Sequence, residues 1–123
     1  MTAIGTALVA LVAAEHVWFL LLEMVFWTKP LGLRTFRLSP EKARQTAALA
    51  ANQGLYNGFL AAGLAWSLLA GQPEQALALK LFFLSCVVIA GIFGALTVSR
   101  SILPVQGGPA LAALIVVWLS RAR

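Results

Sequence analysis

The sequence predicts an all-α integral membrane protein, a single membrane domain over residues 1–123 built as a four-transmembrane-helix bundle. Three observations predict it. The chain is 61% hydrophobic and 11% charged, whereas a soluble domain is about 45–50% apolar and about 25% charged. Its mean hydropathy is +0.90. Its apolar runs approach the roughly 20 residues that a spanning helix needs. A globule of 123 residues has no core large enough for this much apolar surface. A soluble enzyme, a disordered chain and a nucleic-acid binder are all disfavoured.

The first span is residues 3–27, closed by Lys29-Pro30. It lacks the basic start of a signal peptide and is too long for one, so it reads as a retained helix. A loop over residues 28–40 carries Lys29, Arg34, Arg37 and Phe36. Ser39-Pro40-Glu41 is a helix start: Ser at the N-cap, Pro at the first helical position, Glu in the first turn. The second helix begins polar, is membrane-like over residues 46–70 and stops at Gly71-Gln72-Pro73. The third span is residues 76–99, with Lys80 placed to snorkel to the interface.

The fourth span, residues 102–120, contains Pro104-Val105-Gln106-Gly107-Gly108-Pro109 near its start. Counted from Pro109 it is about 18 Å of helix, against a bilayer core of about 30 Å. Two readings stand: broken first turns lining a cavity, or an interfacial loop ahead of Pro109. The loop is the preferred expectation.

The net charge is +5, from nine Lys/Arg and four acidic residues. Five cations lie between Lys29 and Arg44, beside apolar spans, where they report topology before phosphate binding. Together with Arg100 they place the first and third connections in the cytoplasm, against Lys80, Arg121 and Arg123 on the other side. Both termini are then non-cytoplasmic. Cys86 alone makes no internal disulfide. One His and no usable Cys imply no metal, and no cofactor is indicated.

The second helix carries a stripe of small residues, Ala47, Ala51, Gly54, Gly58, Ala62 and Ala65. Gly54, Gly58 and Ala62 mark a close helix contact, within the chain or between chains. A polar face, Asn52, Gln53, Tyr56 and Asn57, is read as roughly opposite that stripe. The first span holds Glu15, His16 and Glu23 on one face. Ionisable residues in a membrane helix are expensive and mark functional sites. Glu15, His16 and Glu23 are candidate acid and base groups. Asn52, Gln53, Tyr56 and Asn57, with Thr97 and Gln106, are candidate ligand contacts. Asn52 and Gln53 are placed level with Glu23, and Tyr56 and Asn57 deeper, toward Glu15 and His16. The bland alternative is a purely structural network, since membrane amides often bridge helices.

These stretches carry a resemblance. Glu15-His16, Glu23-Met24-Val25-Phe26-Trp27 and Asn52-Gln53-Gly54-Leu55-Tyr56-Asn57-Gly58-Phe59-Leu60-Ala61-Ala62-Gly63-Leu64 are its core, with Ala90-Gly91-Ile92-Phe93-Gly94-Ala95-Leu96-Thr97 and Gln106-Gly107-Gly108-Pro109-Ala110. Over nearly the whole chain the sequence resembles the small integral membrane family catalogued as domain of unknown function 1304. The resemblance implies a four-helix protein of the bacterial inner membrane and brings no activity with it. Trp27, within one of its stretches, joins the candidate ligand contacts.

The leading expectation is a homo-oligomer in membrane lipid that binds a small lipophilic molecule, with acid–base chemistry open to it. One alternative is a proton-coupled transporter using Glu15. Another is a partner subunit docking through Gly54 and Gly58. Alkaline phosphatase fused to either terminus is expected to be active, and a cytoplasmic fluorescent reporter dark; the reverse pattern inverts the topology.

Overall fold

The computed structural model describes residues 2–121, and every regular element among them is helical. Helix α1 is Ala3–Met24, α2 Pro30–Phe36, α3 Pro40–Leu69, α4 Pro73–Thr97 and α5 Gly108–Ser120; a π-helical turn, Leu103–Gly107, leads into α5. Among the described residues, three stretches are long and apolar enough to cross a membrane: Ala3–Met24, Pro73–Thr97 and Leu103–Ser120. Helix α3 has the length, 30 residues, but beyond its charged first turns the uncharged stretch carries Asn52, Gln53, Tyr56 and Asn57 at its middle. It is not apolar enough to join the three. The contacts define two units, one of residues 14–61 and one of residues 2–13 with 62–121.

In the first unit α1 stops at Met24, and the amides of Val25 and Phe26 both donate to Leu21 O at 3.0 Å. The expected loop over residues 28–40 is corrected: it contains α2. Pro30 looks like a terminator in sequence, but it begins a helix, where its fixed φ is favourable and its missing N–H costs nothing. Lys29 before it is extended, at φ −89° and ψ 163°, as a residue preceding proline prefers. Arg37 closes α2 in the left-handed region at φ 54°, and its amide returns to Leu33 O. Helix α3 then starts at Pro40, with Ser39 Oγ accepting the Lys42 amide at 3.1 Å. This is the N-cap that the sequence pattern calls for.

The second unit buries Val9, Val12, Leu64, Leu84, Val87, Ala110, Ala113 and Val117. Small residues set its closest approach. A Cβ added to Gly91 of α4 would lie 3.0 Å from both the Cα and the N of Gly107. Backbone thus meets backbone where α4 passes the π-helical turn. The expectation of an interfacial loop ahead of Pro109 is corrected here. Pro109 has no N–H, and its ring would crowd the carbonyl four residues back in an α-helix. Widening the turn accommodates it: the Gly108 amide donates to Leu103 O, five residues back. The helix therefore continues through Pro104 and Pro109, and 18 residues replace the 12 counted from Pro109.

Lys80 is also corrected. It does not snorkel outward; it is 4% exposed and bonds inward to the end of α3.

Gly91→Leu is expected to lower the stability of the purified protein by about 1–3 kcal/mol, the range for overpacking a tight contact. Gly71→Ala and Gly108→Ala, with nothing within 4 Å of the added carbon, are expected to change it by less than about 0.5 kcal/mol. Thermal melts of the three variants check the contrast.

Candidate functional site

The site is built where the end of α1 meets the middle of α3, within the first unit. Gly54 and Gly58 are one turn apart on α3, and α1 fills the space where their side chains would be. A Cβ on Gly54 would fall 2.6 Å from Met24 Cγ, 3.1 Å from Glu23 Cβ and 3.3 Å from Leu20 O; one on Gly58 would fall 2.7 Å from Leu20 Cδ1. The small-residue contact is therefore made inside the chain, and this face is not open to a partner helix. Ala62, expected to extend the contact, is exposed.

That close approach lets a short amide reach a carboxyl group. Asn57 Nδ2 donates to Glu23 Oε2 at 3.2 Å and, more weakly, to Oε1 at 3.4 Å. Asn57 is 4% exposed, while Glu23 is half-buried. Asn is neutral, so the bond orients the carboxyl without cancelling any charge it bears. Two expectations change. Asn57 lies on the Gly54 side of α3, not opposite it, because residues three apart are neighbours on a helix. It also lies level with Glu23, not deeper.

The rest of the polar face is turned away. Asn52, Gln53 and Tyr56 are exposed. Tyr56 meets Phe59 edge-on, with ring centroids 5.8 Å apart. Thr97 donates to Phe93 O of its own helix at 2.7 Å and is exposed; Gln106 is half-buried in the π-helical turn. Both belong to the second unit. The structure thus joins Glu23 and Asn57 directly, and does not gather the other amides around them.

Further along α1, His16 is completely buried, with Phe19 edge-on at 5.3 Å between centroids. Glu15 is half-buried, and its Oε2 is buried with no hydrogen-bond partner. A buried acceptor without a donor costs about 1–3 kcal/mol. Such an atom calls for an explanation. Among the described residues no three His, Cys, Asp or Glu side chains gather closely enough to hold a metal.

Trp27 anchors the other side of the site. Its Nε1 donates to Thr46 Oγ1 at 3.1 Å, Thr46 donates to Lys42 O at 2.8 Å, and Phe36 of α2 packs on the indole at 4.7 Å. Thr46 was not singled out in the sequence. It sits at the polar-to-apolar change in α3, and a lone Thr there carries no distinguishing signal.

The family model described as "Protein of unknown function (DUF1304)" matches residues 10–118. The chain belongs to this family. A relative in Lactococcus lactis subsp. lactis (strain IL1403), the uncharacterized protein YpaA, is 29% identical over 117 residues, covering 94% of this chain and 97% of its own. No solved structure matches. The match to the DUF1304 model takes in both Glu15 and Asn57, so the helix contact lies wholly inside the family's common region.

A double-mutant cycle of Glu23→Ala and Asn57→Ala is expected to give a coupling energy of about 0.5–2 kcal/mol. Chemical unfolding of the four proteins measures it. A coupling indistinguishable from zero removes the bond from the account of the site.

Proposed function

We propose that this DUF1304 protein is an integral protein of the bacterial inner membrane that holds a small lipophilic ligand through Glu15 and its neighbours. Four spans are proposed: α1, the later part of α3, α4, and the π-helical turn with α5. The membrane reading is supported by the three long apolar helices and by the apolar side chains left uncovered. Leu49, Leu69, Leu96 and Val98 are each more than 70% exposed. Uncovered apolar surface is disfavoured in water and matched by lipid.

The observation that carries the ligand reading is the buried, unpartnered Oε2 of Glu15. A donor brought from outside the chain would satisfy this oxygen. The complementary ligand is apolar with one N–H, O–H or ammonium group. His16, next in sequence and wholly buried, adds a second titratable group, so acid–base chemistry on the ligand is within reach of the pair. Glu23 and Asn57 hold the end of α1 in place.

The experiment is organic extraction of protein purified from its own membranes, followed by mass spectrometry. An amine- or hydroxyl-bearing lipophilic molecule is expected near one per chain in the wild type. At least about a tenfold loss is expected in Glu15→Leu, as for a lost charge-assisted hydrogen bond of about 1.5–3 kcal/mol. A wild type with no extracted molecule, together with a Glu15→Leu protein as stable as the wild type or more so, would overturn the ligand reading and leave a structural helix pair.

A further inference from the structure

A second polar arrangement, unrelated to Glu15, lies in the unit of residues 2–13 and 62–121. It starts from Lys80 of α4. Lysine is almost never fully buried unless paired, yet Lys80 is 4% exposed. Its Nζ donates to Ser67 O at 2.7 Å and more weakly to Ala76 O at 3.4 Å. Ser67 is itself wholly buried, and its hydroxyl donates to Leu64 O at 2.6 Å. The Ser67 carbonyl belongs to the last turn of α3, where no further helical amide reaches it. Lys80 thus ties off the end of α3. An ammonium has three donors, and two carbonyls do not neutralise its charge.

The same lysine lines an open cavity of about 240 Å³. Pro73 and Leu77 of α4 and Val117 of α5 form its apolar wall, and Arg121, just past α5, supplies a second cation. Arg121 does not wave freely. Its guanidinium carbon lies 3.0 Å from the centroid of the Trp118 ring, which fixes the planar fork by stacking. Ser120 also lines the cavity, but its hydroxyl proton goes to Val116 O at 2.7 Å. The wall begins at Pro73, the first residue of α4, so the positive end of that helix opens on the same space. Glu74 is exposed and does not line the cavity. Among the described residues neither cation has a carboxylate partner.

We infer that this cavity binds a phosphate-bearing anion between Lys80 and Arg121, with an apolar tail against Leu77 and Val117. The chemistry follows from the parts. A compact ammonium and a planar guanidinium suit a phosphate oxygen cluster. Two cations with no carboxylate partner among the described residues, beside an apolar wall, favour an anion that brings its own hydrocarbon. A phospholipid headgroup and free phosphate share this chemistry, and the apolar wall gives the headgroup something that free phosphate does not use.

Native mass spectrometry of the full chain released from vesicles of mixed phosphatidylglycerol and phosphatidylcholine tests it. The wild type is expected to retain phosphatidylglycerol preferentially. Each cation is expected to account for about fivefold in that preference, the worth of one basic residue near an anionic surface. Arg121→Gln is the decisive variant, because Arg121 is exposed and ties off no helix. Lys80→Gln removes the helix tie as well, so Lys80→Arg, which retains charge and donors, is measured beside it and is expected to keep the preference. A parallel melt with inorganic phosphate, in phosphatidylcholine alone, separates the sources. Stabilisation by phosphate that Arg121→Gln removes assigns the site to free phosphate; phosphatidylglycerol selectivity without it assigns the site to the headgroup. Equal retention of both lipids with no phosphate effect overturns the inference. So does a preference that Arg121→Gln leaves unchanged.

Discussion

The contact of α1 with α3 at Gly54 and Gly58 is the constraint on which the first unit depends. Two missing side chains let Leu20 and Glu23 sit against the backbone of α3. Only at that separation can Asn57, whose side chain is short, reach the Glu23 carboxyl group. The order of cause runs from sequence to chemistry. Small residues set the distance, the distance permits the hydrogen bond, and the bond makes a carboxyl group tolerable on an apolar helix. In the membrane setting proposed for this chain there is little hydrophobic drive between helices, so close packing and such bonds hold them together. Trp27 and Thr46 complete the arrangement by fixing the turn between α1 and α2 to α3.

Much of this was legible because it rests on local signals. Ser39-Pro40-Glu41 marks a helix start in one dimension, and the Ser39 cap forms there. Pro30 and Pro109 show the limit of that reasoning. Each looks like a stop, yet proline is compatible with the first turn of a helix and, in a widened turn, with its continuation. Whether it breaks or begins a helix depends on the hydrogen bonds that the neighbouring residues can still make. At Gly108 the amide finds Leu103 O, and the helix goes on. That choice depends on how tightly α4 can approach, which Gly91 and Gly107 set together. No single-helix pattern contains it.

The candidate site was legible in its residue types more than in its geometry. Glu15, His16 and Glu23 stand out because charged groups are scarce in the first span. Asn57 stands out beside the Gly54 and Gly58 pair. A wheel drawn for α3 alone spreads Asn52, Tyr56, Gln53 and Asn57 over a broad arc of about 140°, with Asn57 at the edge beside Gly54. The fold divides them: Asn57 turns to Glu23, and Asn52 and Tyr56 stay exposed. A neighbour's shape decides which edge of a broad polar face is covered, and that shape comes from Leu20 and Met24 on another helix.

Lys80 changes how the basic residues are weighed. Counted in sequence, Lys80 and Arg121 oppose the cluster between Lys29 and Arg44 and weaken the charge asymmetry. In the structure Lys80 is withdrawn into the protein, bonded to Ser67 O, and Arg121 is stacked on Trp118. A cation fixed by carbonyls or an aromatic face has a local reason for its position, whereas Lys29, Arg34 and Arg37 lie exposed in and around the short helix that follows α1. Topology is biased by basic residues in short loops near the spans. With Lys80 assigned to the end of α3, the asymmetry rests on the first connection more heavily than a simple count suggests.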